Sequence, residues 1–196
     1  PELLSTQFAP EMWALFSQGK LRPDSKLTGE FVREEASPDL DVVMLAIDDA
    51  REEALRRLNN IVISQPDDLD AISVLGDLLR YDEQYVKAAE IYTKALELTG
   101  GDNLSDWRFY YVRGIAYERA KDWPKAEADF LRALELNPEQ PAVLNYLGYS
   151  WIDQDMHLEP ALEMIEKAVE AQPQDGYIID SLGWAFYKLG RIEEAV

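Results

Sequence analysis

The chain has 196 residues, 47% of them hydrophobic and 29% charged, and its 38 acidic side chains against 19 basic ones leave a net charge of −19. A phosphate backbone is held by clustered Lys and Arg, so this balance excludes nucleic acid and favours basic or neutral partners. Aromatics spread along the chain argue against disorder, no apolar run reaches the ~20 residues of a membrane helix, and the lack of cysteine removes disulfide and thiolate chemistry.

Residues 1–37 follow no repeat. Within them "APEMWALFSQGK" predicts a short helix over about 10–18: Pro10 stands at its start, Met12, Leu15 and Phe16 share a face, and Gly19 ends it. "LRPDSKLTGEF" reads as a loop. This segment is expected to cap the repeats that follow, to lie in their groove, or to contact a further domain. The chain starts at Pro1 rather than Met and reads as a fragment, whose leader would have gone with its natural start.

From about residue 38 the sequence repeats. Ala54, Ala88, Ala126, Ala161 and Ala195 stand 34, 38, 35 and 34 residues apart, in "EEALRRLNNIVISQP", "KAAEIYTKALEL", "KAEADFLRALELNP", "PALEMIEKAVEAQP" and "EEAV". Before each of the last four lies a glycine: Gly76 in "VLGDLLR", Gly114 in "VRGIAYE", Gly148 in "NYLGYSWI" and Gly183 in "SLGWAFY". Apolar residues around them fall three and four apart, as Leu144, Leu147 and Trp151 do, on one helical face. Pro66, Pro138 and Pro173 cannot continue a helix and so end the second one of their units. Each unit is then a helix, a turn and an antiparallel helix, with small residues such as Gly148 and Ala161 where the two axes approach. The expected units are about 38–68, degenerate and without the Leu-Gly pair, then 69–106, 107–140, 141–175, and an incomplete 176–196. Two irregularities stand out: "ELTGGDNLSD" carries four extra residues, and "DQDMHLEP" lengthens one turn by a residue.

These residues resemble the tetratricopeptide repeat (TPR) family, whose unit is W-x2-L-G-x2-Y, A-x3-F-x2-A and P. Tyr110, Arg113, Gly114, Tyr117, Ala126, Phe130, Ala133 and Pro138 match it in order, with Arg113 in a usual leucine place, and a second copy runs from Leu144 to Pro173. The resemblance implies an all-α, right-handed α-solenoid of antiparallel helix pairs, truncated in its last repeat. The last glycine-bearing helix should then show apolar surface that a following helix would cover.

No converging catalytic set can be assembled. His157 is the sole histidine, in a predicted turn near Asp153 and Asp155, and one histidine is a poor basis for a metal site. The glycines sit in helix middles and no phosphate-binding loop motif is present; "TGGDN" reads as a turn between repeats. Ser150 and Ser181 lack a histidine to activate them. Neither enzyme activity nor a cofactor is expected.

In the resembled family the first helix of each pair lines the concave surface. The positions opposite the Leu-Gly packing carry Arg108, Tyr111, Ile115, Asn145, Tyr149, Ile152, Tyr177, Asp180, Trp184 and Tyr187 where a solvated face would carry Lys, Glu and Gln. These are the expected partner-binding groove, although some of the aromatics could instead pack between repeats. Asn145 can donate and accept at once, which suits a peptide backbone held between Arg108 and Tyr149, and Asp180 could hold a basic side chain. The Lys/Asn clamp with which some family members hold acidic chaperone tails is absent. The expected function is a non-enzymatic scaffold or adaptor for a protein or peptide partner. The alternatives are a regulatory or substrate-binding array attached to a catalytic domain elsewhere, or self-association into a homodimer through the incomplete last repeat or the N-terminal helix. Similarity to bacterial TPR proteins, several of them envelope lipoproteins, implies the periplasm, with the cytoplasm as the alternative.

Overall fold

The computed structural model describes residues 51–195, which lie in a compact unit spanning 42–196. The expected 10–18 helix, the fate of residues 1–37 and the start of the first repeat fall outside the described residues. Within those described there are eight α-helices and no strand: α1 (Arg51–Ser64), α2 (Leu69–Tyr81), α3 (Tyr85–Thr99), α4 (Trp107–Arg119), α5 (Trp123–Leu136), α6 (Pro141–Asp153), α7 (Leu158–Ala171) and α8 (Gly176–Lys188). Each helix packs on its neighbours in sequence, and α6 also touches α8, two helices on. This is the stacking of an α-solenoid, in which every unit covers its neighbour's apolar face.

Local chemistry sets the helix ends. Asp68 caps α2 by accepting from the Ala71 amide at 2.9 Å, and Asp175 caps α8 by accepting from the Tyr177 and Ile178 amides. Pro124 and Pro141 stand in the first turns of α5 and α6, where a missing N–H costs nothing. The turns inside three pairs close by one scheme: Gln84 N donates to Leu79 O, Asp122 N to Tyr117 O, and Met156 N to Trp151 O, all at 2.8–2.9 Å. This six-to-one bond needs a left-handed residue, supplied by Glu83, Lys121 and Asp155 at φ 58°, 66° and 55°. The α6–α7 turn is one residue longer than the other two, as expected, and places His157 left-handed as well, at φ 44°. The other insertion, at Gly100 and Gly101 (φ 87° and 73°), leads into a 3-10 turn at Leu104–Asp106, where the buried Asp106 carboxylate accepts from the Asn103 amide at 3.0 Å.

The core is continuous along the stack. Ala54, Leu58, Ile72, Leu75 and Tyr92 fill one part, Phe130, Leu147, Ile152 and Ile165 another, and Tyr117 packs against both. At the seam inside each pair there is no room for a side chain. A Cβ at Gly114 would stand 2.6 Å from the Phe130 ring, and one at Gly148 2.8 Å from both the Ala161 carbonyl oxygen and Ile165 Cγ1. Gly183 differs: a Cβ there meets nothing nearer than the Ala195 carbonyl at 3.7 Å. Residues after α8 form turns rather than a helix, and Ile179 and Ile192 are exposed. On the last glycine-bearing helix itself Ile179 is exposed, while Ile178 and Ala185 are buried.

Arg113, the departure from leucine, has a matching partner on the next helix. Its Nε and Nη2 donate to the two oxygens of Asp129, both at 2.7 Å, while Nη1 donates to Thr93 Oγ1 on α3 at 3.0 Å. The guanidinium also lies over Tyr110 and Tyr117, 5.4 and 5.7 Å from their centroids. One side chain thus ties α3, α4 and α5 together. Removing one member of such a buried pair strands the other's charge, whereas replacing both with apolar groups does not.

Two expectations follow for denaturant unfolding. Gly148→Ala should destabilise by about 1–3 kcal/mol because the clash is with a backbone carbonyl, while Gly183→Ala should stabilise by about 1 kcal/mol through helix propensity. Asp129→Leu alone should cost about 3–5 kcal/mol, and Arg113→Leu with Asp129→Leu should return to within about 1 kcal/mol of the parent. Additive effects of the two leucines would show that the pair is not coupled.

Candidate functional site

The first helices of the pairs, α2, α4, α6 and α8, present the face where the groove is expected. Its α2 end is closed by polar pairing. Tyr92 Oη donates to Asp77 Oδ1 at 2.8 Å, and Arg80 Nη2 donates to the same oxygen at 3.1 Å, which leaves the buried Arg80 Nε without a hydrogen-bond partner. Burial pushes the Tyr92 phenol up, and the Asp77 charge adds to this. Tyr92 and Arg80 therefore stay neutral and charged, respectively, across the physiological range.

On α4 the sequence-predicted residues divide. Arg108 is exposed, its guanidinium 5.7 Å over the neighbouring Trp107 ring. Tyr111 instead turns into an aromatic cluster, with centroids 6.3 Å from Trp107, 6.2 Å from Phe130 and 6.0 Å from Tyr146, the last edge-on at 85°. Burial pushes its phenol up. Ile115 packs against the same core. Packing between repeats thus accounts for much of both side chains.

Tyr146 belongs to this cluster and was not among the residues picked from the sequence. It links α6 to α4: its Oη donates to Glu118 Oε2 at 3.3 Å, and its ring centroid stands 5.2 Å from Phe130. Burial, then the Glu118 charge, raises its phenol. The available signal was its place two residues before Gly148, between the packing face and the open one.

On α6, Asn145 is half-buried, and its Oδ1 is buried without a hydrogen-bond partner. Tyr149, one turn further, is 42% exposed. Ile152 corrects the expectation: it is 0% exposed and packs in the core, so it does not line the groove. Its position is one turn from Gly148 on the helix that α8 packs against, and an aliphatic side chain there is covered by the next repeat. All four residues expected on α8 are open. Tyr177 is 71% exposed, Trp184 36% and Tyr187 57%, and Asp180 is exposed too. Trp184 and Tyr187 stack, with centroids 5.5 Å apart and planes 23° apart. His157 lies away from this set, its ring 4.8 Å from Trp151, whose indole N–H donates to Glu127 at 2.6 Å. Among the described residues no cluster of His, Asp and Glu is placed to share a metal ion.

The face is therefore a graded one: paired and closed at α2 and α4, open and aromatic at α6 and α8. An array of helix pairs with such a face is an α-solenoid, a class whose members generally serve as protein-interaction scaffolds and are generally non-catalytic. The family model described as tetratricopeptide repeat matches residues 75–141 and 111–155. The two matches overlap and together span residues 75–155, and this stretch is a run of tetratricopeptide repeats.

It is 28% identical over 145 residues to a TPR repeat-containing protein of Pseudomonas aeruginosa, a match that takes in 74% of this chain and 24% of that one. It is 26% identical over 144 residues to the BBSome complex member BBS4 of Bos taurus, across 74% of this chain and 27% of the other. The matches thus span about a quarter of the length of those curated relatives. Among solved structures, MamA of Desulfovibrio magneticus superposes with a TM-score of 0.67 at 21% identity, over 80% of this chain and 85% of that one. YrrB, described as a TPR protein with an unusual peptide-binding site, superposes with a TM-score of 0.60 at 18% identity, over 96% and 88%. At these identities the structural likeness speaks for the fold alone.

Core and lining should separate experimentally. Ile152→Ala should cost about 2–5 kcal/mol of stability, as a large-to-small change in a packed core does. Tyr177→Ala should stay within about 0.5 kcal/mol of the parent. Equal losses in a urea titration would mean that Tyr177 is structural.

Proposed function

We propose that this chain is a scaffold or adaptor that holds an extended segment of a protein partner along the face formed by α4, α6 and α8. Arg108, Asn145, Tyr149, Tyr177, Asp180, Trp184 and Tyr187 make the contacts, and Tyr111 and Ile115 form part of the floor. The observation that carries this reading is the run of exposed aromatics, Tyr149, Tyr177, Trp184 and Tyr187, on consecutive first helices. Exposed singly, large apolar side chains need no explanation; side by side on one face they have the composition of an interface.

Asn145 adds the polar element. A buried carbonyl oxygen without a donor costs roughly 1–3 kcal/mol, and a small reorientation toward a peptide N–H removes that cost on binding. The side-chain amide has an acceptor and donors in one plane and so can hold a backbone amide whatever the side chain beside it. Affinity then comes from the rings, and register from the asparagine.

The test is affinity capture from an extract of the source cells, comparing the parent with Asn145→Ala/Tyr149→Ala, the helical content of both checked by circular dichroism. A partner retained by the parent and lost by the equally folded variant is the expected result. Partners kept equally by both would remove the groove reading and direct attention to the opposite face of the solenoid.

A further inference from the structure

The proposed groove has an end whose chemistry is selective. We infer that the α8 face, Tyr177, Asp180, Trp184 and Tyr187, takes an arginine or lysine side chain, so that the segment held along the groove is a basic one. The inference rests on the groove reading above and adds the charge of the partner.

Three observations carry it. The first is the state of the carboxylate. On the corresponding face of α2, Asp77 already accepts from Tyr92 and Arg80, and on α4, Glu118 accepts from Tyr146 and pairs with Arg119 at 3.4 Å. Asp180 is exposed and, among the described residues, has neither a hydrogen-bond nor an ion-pair partner. Its neighbour Asp175 is by contrast engaged in capping the helix.

The second is its setting. Spacings of three, four and three residues put Tyr177, Asp180, Trp184 and Tyr187 on one stripe of α8, so the free carboxylate is flanked by exposed rings on both sides. A carboxylate among aromatic faces suits a cation twice over, through the charge and through the ring quadrupoles. The chain itself supplies the precedent. Lys188 places its Nζ 5.9 Å from the Trp184 centroid while pairing with Asp155 at 2.7 Å, which is this same combination of ring and carboxylate, already filled. Because Lys188 and Tyr187 both lie against Trp184, an incoming cation meets Tyr177 and Asp180 first, and the Trp184 indole, one turn from Asp180, senses its arrival.

The third is the long-range field. A net charge of −19 draws cationic segments toward the chain and repels acidic ones, and Asp180 is where that attraction ends in a contact. An acidic tail would bring a second carboxylate to Asp180 with no lysine or arginine free beside it on α8, because Lys188 is engaged.

The probes are a short alternating Ser–Arg peptide and its Ser–Glu and Ser–Gln counterparts, titrated into the isotopically labelled chain and followed by amide and indole shifts. The Ser–Arg peptide should move the Trp184 indole signal and the amides of Tyr177, Asp180 and Tyr187; the other two should not. Asp180→Asn should weaken it about three- to tenfold. Glu163→Gln, which removes one exposed charge on α7, should leave the affinity unchanged. Equal weakening by both variants would reduce the effect to diffuse charge and overturn the inference. So would shifts confined to other helices, or a Ser–Glu or Ser–Gln peptide that takes the α8 face. Partner capture abolished by the Asn145/Tyr149 double variant but untouched by Asp180→Asn would overturn this inference and leave the groove standing; capture indifferent to both would remove the groove itself.

Discussion

The structure depends on how closely the two helices of a pair approach. At Gly114 and Gly148 the missing Cβ is the space that the Phe130 ring, or the Ala161 carbonyl and Ile165, occupies. That contact fixes the distance between the helices of a pair. It thereby fixes where the next first helix lands and which residues face outward. A solenoid has no central core to absorb an error, because each unit is held only by its neighbours. The seam is therefore more than a local packing detail: moving one helix by the width of a methyl group would reposition every repeat that follows.

Two departures from the repeat pattern show how such a stack tolerates change. Arg113 places a charge where the pattern calls for leucine, and Asp129 one helix on, Thr93 one helix back and two tyrosine rings all converge on it. Burial pushes the Asp129 carboxyl up while the guanidinium pulls it back, so charge and geometry are matched in place rather than left to solvent. The turns make a different accommodation. Glu83, Lys121 and Asp155 adopt a left-handed backbone at about 1–2 kcal/mol each, where glycine would sit without strain, and the six-to-one bond of each turn holds them there.

The face of the first helices follows from the same geometry. Where neighbouring first helices meet, as at Tyr111, Tyr146 and Glu118, aromatic side chains become mortar between repeats. At α8 the same kind of side chain stays open, and Tyr177, Trp184 and Tyr187 are left as surface. Aromatic side chains of the first helices thus have two roles, packing between repeats on α4 and α6 and standing as exposed surface on α8.

Periodicity alone determined a great deal about this protein. The 34-to-38-residue spacing of alanines, the glycines in helix middles and the terminating prolines were sufficient for the helix pairs, their antiparallel order and the lengthened α6–α7 turn, because these are local consequences of helical spacing and backbone freedom. The open aromatics of α8 and Tyr149 were legible for the same reason: they sit opposite the glycine face. Tertiary structure decided the rest. Ile152 stands on the same nominal face as Tyr149 but is buried, and Tyr146, off that face by spacing, joins two repeats. Helical spacing gives an angle around one axis and carries no information about how near the next axis lies. The partner chosen by Arg113 was equally invisible, since sixteen residues of sequence separate it from Asp129 and only the folded seam brings the two together.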